Sequence, residues 1–154
     1  MYELAQKVRS LDIPSEPGTY ALVLTCQKTG TVRIGRLGHS ALQPGVYIYV
    51  GSAFGPGGLS ARIGHHRRIS ARPHWHIDHL RAVCDLSEVW FTSSAGRQEH
   101  SWAKALGRMP DAVVPMPGFG SSDCACETHL FWFNRLPSIR TFRRLATTEV
   151  SVHR

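Results

Sequence analysis

The chain has 154 residues, of which 42% are apolar, with four Trp and six Phe; that length fits one folded domain, and the apolar content supports a folded globule and argues against disorder. Fifteen arginines against three lysines, with a formal charge of +7 and pI near 9.8, suit bidentate phosphate pairing and salt-sensitive nucleic-acid binding, or simply solubility. No run approaches the roughly 20 apolar residues of a membrane span, no signal-peptide pattern opens the chain, and Cys26, Cys84, Cys124 and Cys126 do not form a secreted disulfide framework, so the expected setting is cytoplasmic, without membrane.

In chain order, residues 1–17 read as an N-terminal extension ended by Pro14 and Pro17. Gly18–Cys26 is apolar and β-favouring, a buried strand. Gln27–Gly30 turns, and Thr31–Leu37 reads as the returning strand of a hairpin. Pro44-Gly45 precedes a third strand, Val46–Val50, which ends at Gly51. The run Phe54-Gly55-Pro56-Gly57-Gly58 is incompatible with helix. A helix then runs over Leu59–Ser70, stopped by Pro73, and a second short one covers Trp75–Val83, with Trp75, Leu80 and Val83 as apolar anchors. Leu86–Thr92 is a strand, Gln98–Leu106 a helix entered from a polar turn, residues 109–123 a loop, and Thr128–Phe133 the last strand. From Pro137 the chain is basic and without clear pattern. The sum is a small α/β (α+β) domain, an antiparallel sheet flanked by helices, over residues 18–136, followed by a basic tail over 137–154.

Several side chains in this frame suit phosphodiester chemistry. Tyr20 and Tyr49 stand at glycine-bounded strand ends, although the commoner role of a strand tyrosine is packing plus one hydrogen bond. Tyr47 shares a strand face with Tyr49. Arg62 and His66 are one helical turn apart on one face, where an arginine is ordinarily solvated. Glu99 opens a helix, a place that often serves only to complement the helix dipole.

The pair Gly18-Thr19-Tyr20 and Tyr49-Val50-Gly51, with a basic helix after the second, resembles the GIY-YIG nuclease superfamily. The run His74-Trp75-His76-Ile77-Asp78-His79 and the run Gly118–Cys124 resemble its DUF123 branch, some members of which are fused to a DNA glycosylase. The resemblance covers about Gly18 to Phe133. It implies a GIY-YIG-like fold and a metal-dependent DNA endonuclease acting in DNA repair or processing. By position it gives Glu99 to one Mg²⁺ or Mn²⁺, Arg62 to the transition-state phosphate, and His66 to the reaction centre. Tyr20 is then the candidate general base, since a neighbouring metal and Arg62 would lower a phenol pKa from near 10. His65, Arg67, Arg68, Arg72, His74 and His76 are candidate nucleic-acid contacts. The chain departs from the superfamily in the 29-residue separation of Tyr20 and Tyr49, with room for an added strand between them, and in having no asparagine at the usual place after Glu99; Ser122 or Asp123 could stand in.

Two clusters admit other readings. His76 and His79, at i,i+3, could share a metal, with Asp78 orienting His74 or a water; the alternative is a capped basic helix touching DNA backbone. Cys124, Cys126 and His129 suggest a structural Zn²⁺ with a fourth ligand from Cys84 or the histidine run, although a one-residue gap between cysteines is unusual and free cysteines are often buried as small hydrophobes. The rival functions are a DNA-binding module that positions a repair partner without cleaving, and a zinc-stabilised interaction domain. RNA stays open as a substrate, because phosphate contacts do not distinguish it from DNA.

Overall fold

The computed structural model describes residues 12–121 and 124–154; most of the expected N-terminal extension, and the stand-in residues Ser122 and Asp123, lie outside them. The main sheet has five strands in the order β6-β4-β1-β5-β7, every pairing antiparallel. Its strands are β1 (Gly18–Cys26), β4 (Gly45–Ala53), β5 (Asp85–Ser93), β6 (Leu130–Phe133) and β7 (Ser151–His153). Among the described residues four α-helices flank it: α1 (Gly58–Arg67), α2 (His76–Arg81), α3 (Glu99–Gly107) and α4 (Ile139–Ala146).

Burial on both faces explains why β1 reads as a near-continuous apolar run rather than an alternating one. Tyr20, Leu22, Leu24 and Cys26 point to one side, against Leu59 and Ile63 of α1, Ile77 and Leu80 of α2, and Phe119. Ala21 and Val23 point to the other, toward Trp102 and Leu106 of α3 and Phe142 of α4. Burying two faces of one strand between helix layers is what lets a chain this short build two cores.

Three expectations change. Thr31–Leu37 is not the partner of β1. Only Gly30–Arg33 (β2) is extended, a 3-10 turn takes Gly35–Leu37, and β2 pairs with β3 (His39–Leu42) as a separate ribbon. The reason is that both edges of β1 are already taken by β4 and β5; the ribbon instead lends Ile34 and Leu42 to the core beside α2. The first helix ends at Arg67, well before Pro73. Arg68 is extended, and the buried Arg81 donates to the terminal carbonyls of His66 (2.8 Å) and Arg67 (3.2 Å), a cation closing a helix C-terminus. The third change is the segment after Pro137, which is patterned. Ser138 caps α4, its Oγ accepting from the Thr141 N–H, Phe142 is fully buried against Trp90 and Trp102, and β7 closes the sheet beside β5.

No helix among the described residues is long and apolar enough to cross a membrane.

Candidate functional site

Register brings the two tyrosines together. Tyr20 lies opposite Gly51, and Leu22 opposite Tyr49, so both rings project from the same face toward α1. Gly51 is what admits the first of them. A Cβ there would run into the Tyr20 hydroxyl and lie 3.0 Å from Cε2, so any larger residue displaces the phenol. Gly120 does the same for the second, since a Cβ would sit 2.8 Å from Tyr49 Cε1, and its φ of 67° is costly for other residues.

Helix α1 enters through Gly57 and Gly58, both at positive φ. Its first amides are taken by backbone, Leu59 N–H donating to Glu16 O and Ser60 N–H to Pro14 O, each at 2.9 Å. One turn on, Arg62 donates to the Ser52 carbonyl at 3.0 Å, and its guanidinium lies 4.7 Å from the centre of the Trp75 ring. Trp75 is 37% exposed, so it is less an apolar anchor than the floor under Arg62. One turn further, His66 is buried, with Nε2 2.8 Å from the Tyr20 hydroxyl, and Tyr49 is edge-on to the same ring.

Glu99 arrives from the opposite side of the sheet, at the start of α3. Ser52 joins the two halves. Its carbonyl accepts from Arg62 on the α1 side, while its hydroxyl donates to Glu99 Oε2 at 3.1 Å. The other oxygen, Oε1, lies 3.3 Å from His129 Nδ1, close enough for charge to act although the alignment falls short of a hydrogen bond. Thus Tyr20, Tyr49, Arg62, His66 and Glu99, drawn from β1, β4, α1 and α3, meet around the end of β4.

Electrostatics define what each can do. Burial raises the Tyr20 pKa, the Tyr49 and Glu99 charges raise it further, and Arg62 offsets them only in part. Tyr49 is raised by burial and by Glu99 in the same way. These protein groups therefore hold both phenols protonated at neutral pH, as hydroxyl donors, and Arg62 alone does not lower Tyr20 toward a general base. Burial, aided by His65, lowers His66 to about 3, so its ring is neutral. Burial pushes Glu99 up, but His129, the Ser52 hydroxyl and His100 outweigh it and hold the carboxylate ionised.

The basic candidates divide. Arg67, Arg68, Arg72 and His74 are all exposed, and Arg67 also bonds His153 Nε2 at 2.7 Å. His65 bonds Asp78 Oδ1 at 3.0 Å and packs edge-on against Trp75. Asp78 does not orient the His74 ring; its other oxygen accepts from the backbone N–H groups of His74 (2.9 Å) and Trp75 (3.0 Å), opening α2. His76 Nδ1 accepts from the Gly120 N–H at 2.8 Å, which ties the 118–120 turn to α2. His76 and His79 belong to neither group of metal-competent side chains among the described residues.

Those two groups are His65, His66 and Asp78, and His100, Cys124, Cys126 and His129. Cys84 is absent from the second because it is buried with Cys26 in the core beneath α2. Sequence reasoning missed Ser52, the joint of the site, and His100, the neighbour of Glu99. It also missed Arg97, whose guanidinium stands 4.5 Å from the Phe54 ring. A histidine beside Glu99 together with Cys124-x-Cys126 was the one available signal; nothing marks Ser52 apart from its place after Gly51.

A family model described as "Domain of unknown function DUF123" matches residues 19–151. No curated protein and no solved structure matches the chain.

Proposed function

Taking as premise that the chain belongs to the DUF123 family, whose description assigns no activity, we propose that it is a metal-dependent DNA endonuclease of the GIY-YIG type. It would hydrolyse phosphodiester bonds in DNA repair or processing, in the cytoplasm. The observation that carries this reading is the meeting of Glu99, Arg62 and two protonated phenols around Ser52 and Gly51. An ionised carboxylate, a guanidinium fork and neutral hydroxyl donors are complementary to a phosphoryl group that gains charge as it is attacked.

Glu99 fits a divalent ion. Its carboxylate is held ionised and is 26% exposed, and a single carboxylate completed by water suits Mg²⁺ or Mn²⁺. Such an ion supplies charge neutralisation at the phosphate and a lower pKa for water. The chain's own residues do the rest. Arg62 is held by Ser52 and Trp75 with guanidinium N–H groups left over for phosphoryl oxygens. Tyr20, held by neutral His66, and Tyr49 present hydroxyls to the phosphate or the attacking water. Trp75, exposed beside Arg62, gives a nucleobase a surface to stack on, and Arg68 and Arg72 add phosphate contacts.

Nicking of supercoiled and branched DNA tests this with wild type, Glu99→Ala and Arg62→Ala, in Mg²⁺, Mn²⁺ and EDTA. The expected outcome is metal-dependent cleavage that Glu99→Ala abolishes and Arg62→Ala slows by about 10²–10³-fold. Equal DNA binding by all three proteins with no cleavage of any substrate would leave a binding module that positions a repair partner. A parallel RNA substrate decides between the nucleic acids.

A further inference from the structure

Beyond the phosphodiester site lies a group of four side chains that the nuclease chemistry does not use directly. Cys124 and Cys126 come from the loop before β6, His129 from the residue just ahead of β6, and His100 from the first turn of α3. One ligand atom from each lies within 4.8 Å of all the others. A tetrahedral zinc centre with bonds of about 2.3 Å to sulfur and about 2.0 Å to nitrogen has edges of about 3.3–3.8 Å. The edge between Cys124 Sγ and His129 Nε2 is already 3.4 Å, so the remainder needs only a small contraction.

The two nitrogens of His129 face different partners. Nε2 faces the Cys124 thiol, and Nδ1 faces Glu99 Oε1 at 3.3 Å. His129 is buried, and its backbone is fixed on both sides. Its N–H donates to Phe119 O at 2.8 Å, and its carbonyl accepts from Val50 N–H at 2.9 Å. A small turn of the imidazole would convert this proximity into the arrangement in which a histidine binds metal through one nitrogen and donates its other N–H to a carboxylate. Two soft sulfurs and two imidazoles in a closed set select zinc over magnesium.

We propose that Cys124, Cys126, His129 and His100 bind one structural zinc ion, and that His129 carries the effect of that ion to Glu99. Binding replaces the two thiol protons, which are released to solvent. It pins residues 124–129 to the start of α3 and, through the bonds of Gly118 N–H to Glu127 O and His129 N–H to Phe119 O, the Gly120 backbone against Tyr49 and His76. Glu99 acts on this centre as a positioning partner. The zinc centre stands apart from the nuclease reading, because metal content is read without DNA.

The test is cobalt and zinc titration of the whole chain, stripped of metal and kept reduced. Cobalt is expected to bind one per chain with the intense visible bands of a tetrahedral site and sulfur-to-cobalt charge transfer, and zinc to displace it. Cys126→Ser should roughly halve the charge-transfer band, His100→Ala should weaken binding and change the visible bands, and Cys84→Ser should leave the spectrum as in wild type. Glu99→Gln should keep the spectrum and loosen zinc by about 10–100-fold. The proposal is overturned if wild type gives only the pale spectrum of octahedral cobalt. It is also overturned if the bands persist in the Cys124→Ser, Cys126→Ser double variant, or if Glu99→Gln holds zinc as tightly as wild type. Circular dichroism of each variant guards against loss of fold, and the wild-type spectrum decides even if a variant fails to fold.

Discussion

His66 is a buried, neutral imidazole pressed between Tyr20, Tyr49 and Trp75, and its own pKa, lowered to about 3 by burial, makes it a source of acid sensitivity. In the unfolded chain the same ring titrates near 6.5. Between those two values the unfolded state binds a proton that the folded state does not, so stability rises with pH across that window and is lost as pH falls from about 6.5 toward 3. The slope from this residue is about 1.4 kcal/mol per pH unit below pH 6. Urea midpoints at pH 7.5 and pH 5 should show that loss in wild type and a smaller one in His66→Gln. The carboxylates of Asp78 and Glu99 are also held low against the opposing effect of burial; their contribution is present above the usual carboxylate range and fades only at lower pH, so it does not mimic the histidine effect between pH 7.5 and 5.

At the scale of elements, α4 shows where a sequence hides its structure. Ile139, Phe142, Leu145 and Ala146 fall at helical spacing and Ser138 stands as a cap, yet three arginines within eight residues give the segment the look of a solvated tail. Packing decides the matter, because Phe142 closes the core between Trp90 and Trp102. Phe142→Ala is therefore expected to cost about 3–5 kcal/mol, read as a shift of the denaturation midpoint, and far more than a change in a solvated tail would. The central strands and α1 to α3 were legible from local pattern, since β1, β4 and β5 are apolar runs bounded by turns. The β2–β3 ribbon was not, because which strand pairs with β1 depends on β4 and β5, which lie beyond it in the chain. The site was legible in the same measure. Tyr20, Tyr49, Arg62, His66 and Glu99 stand out by motif, while Ser52 and His100 gain meaning only when α3 is laid against the end of β4.

Across the whole molecule, the charge of +7 is carried almost entirely by arginine. Arg68 and Arg72 lie exposed beyond the end of α1. Under the proposed function, DNA affinity should fall linearly with the logarithm of salt, and Arg68→Ala with Arg72→Ala should reduce the slope by about 2. Fluorescence anisotropy of a labelled duplex across a salt series measures it.

The order of strands in the sheet has a consequence for how the protein is made. The central trio β4-β1-β5 is encoded by residues 18–93, while the strands that cover its two edges, Leu130–Phe133 and Ser151–His153, come later in the chain. A sheet formed by the central trio before those segments are made would have both edges bare, and bare edges are templates for pairing with other chains. A fragment ending between residues 93 and 130 is therefore expected to aggregate where the full chain stays in solution, which sedimentation of the two, expressed side by side, would read.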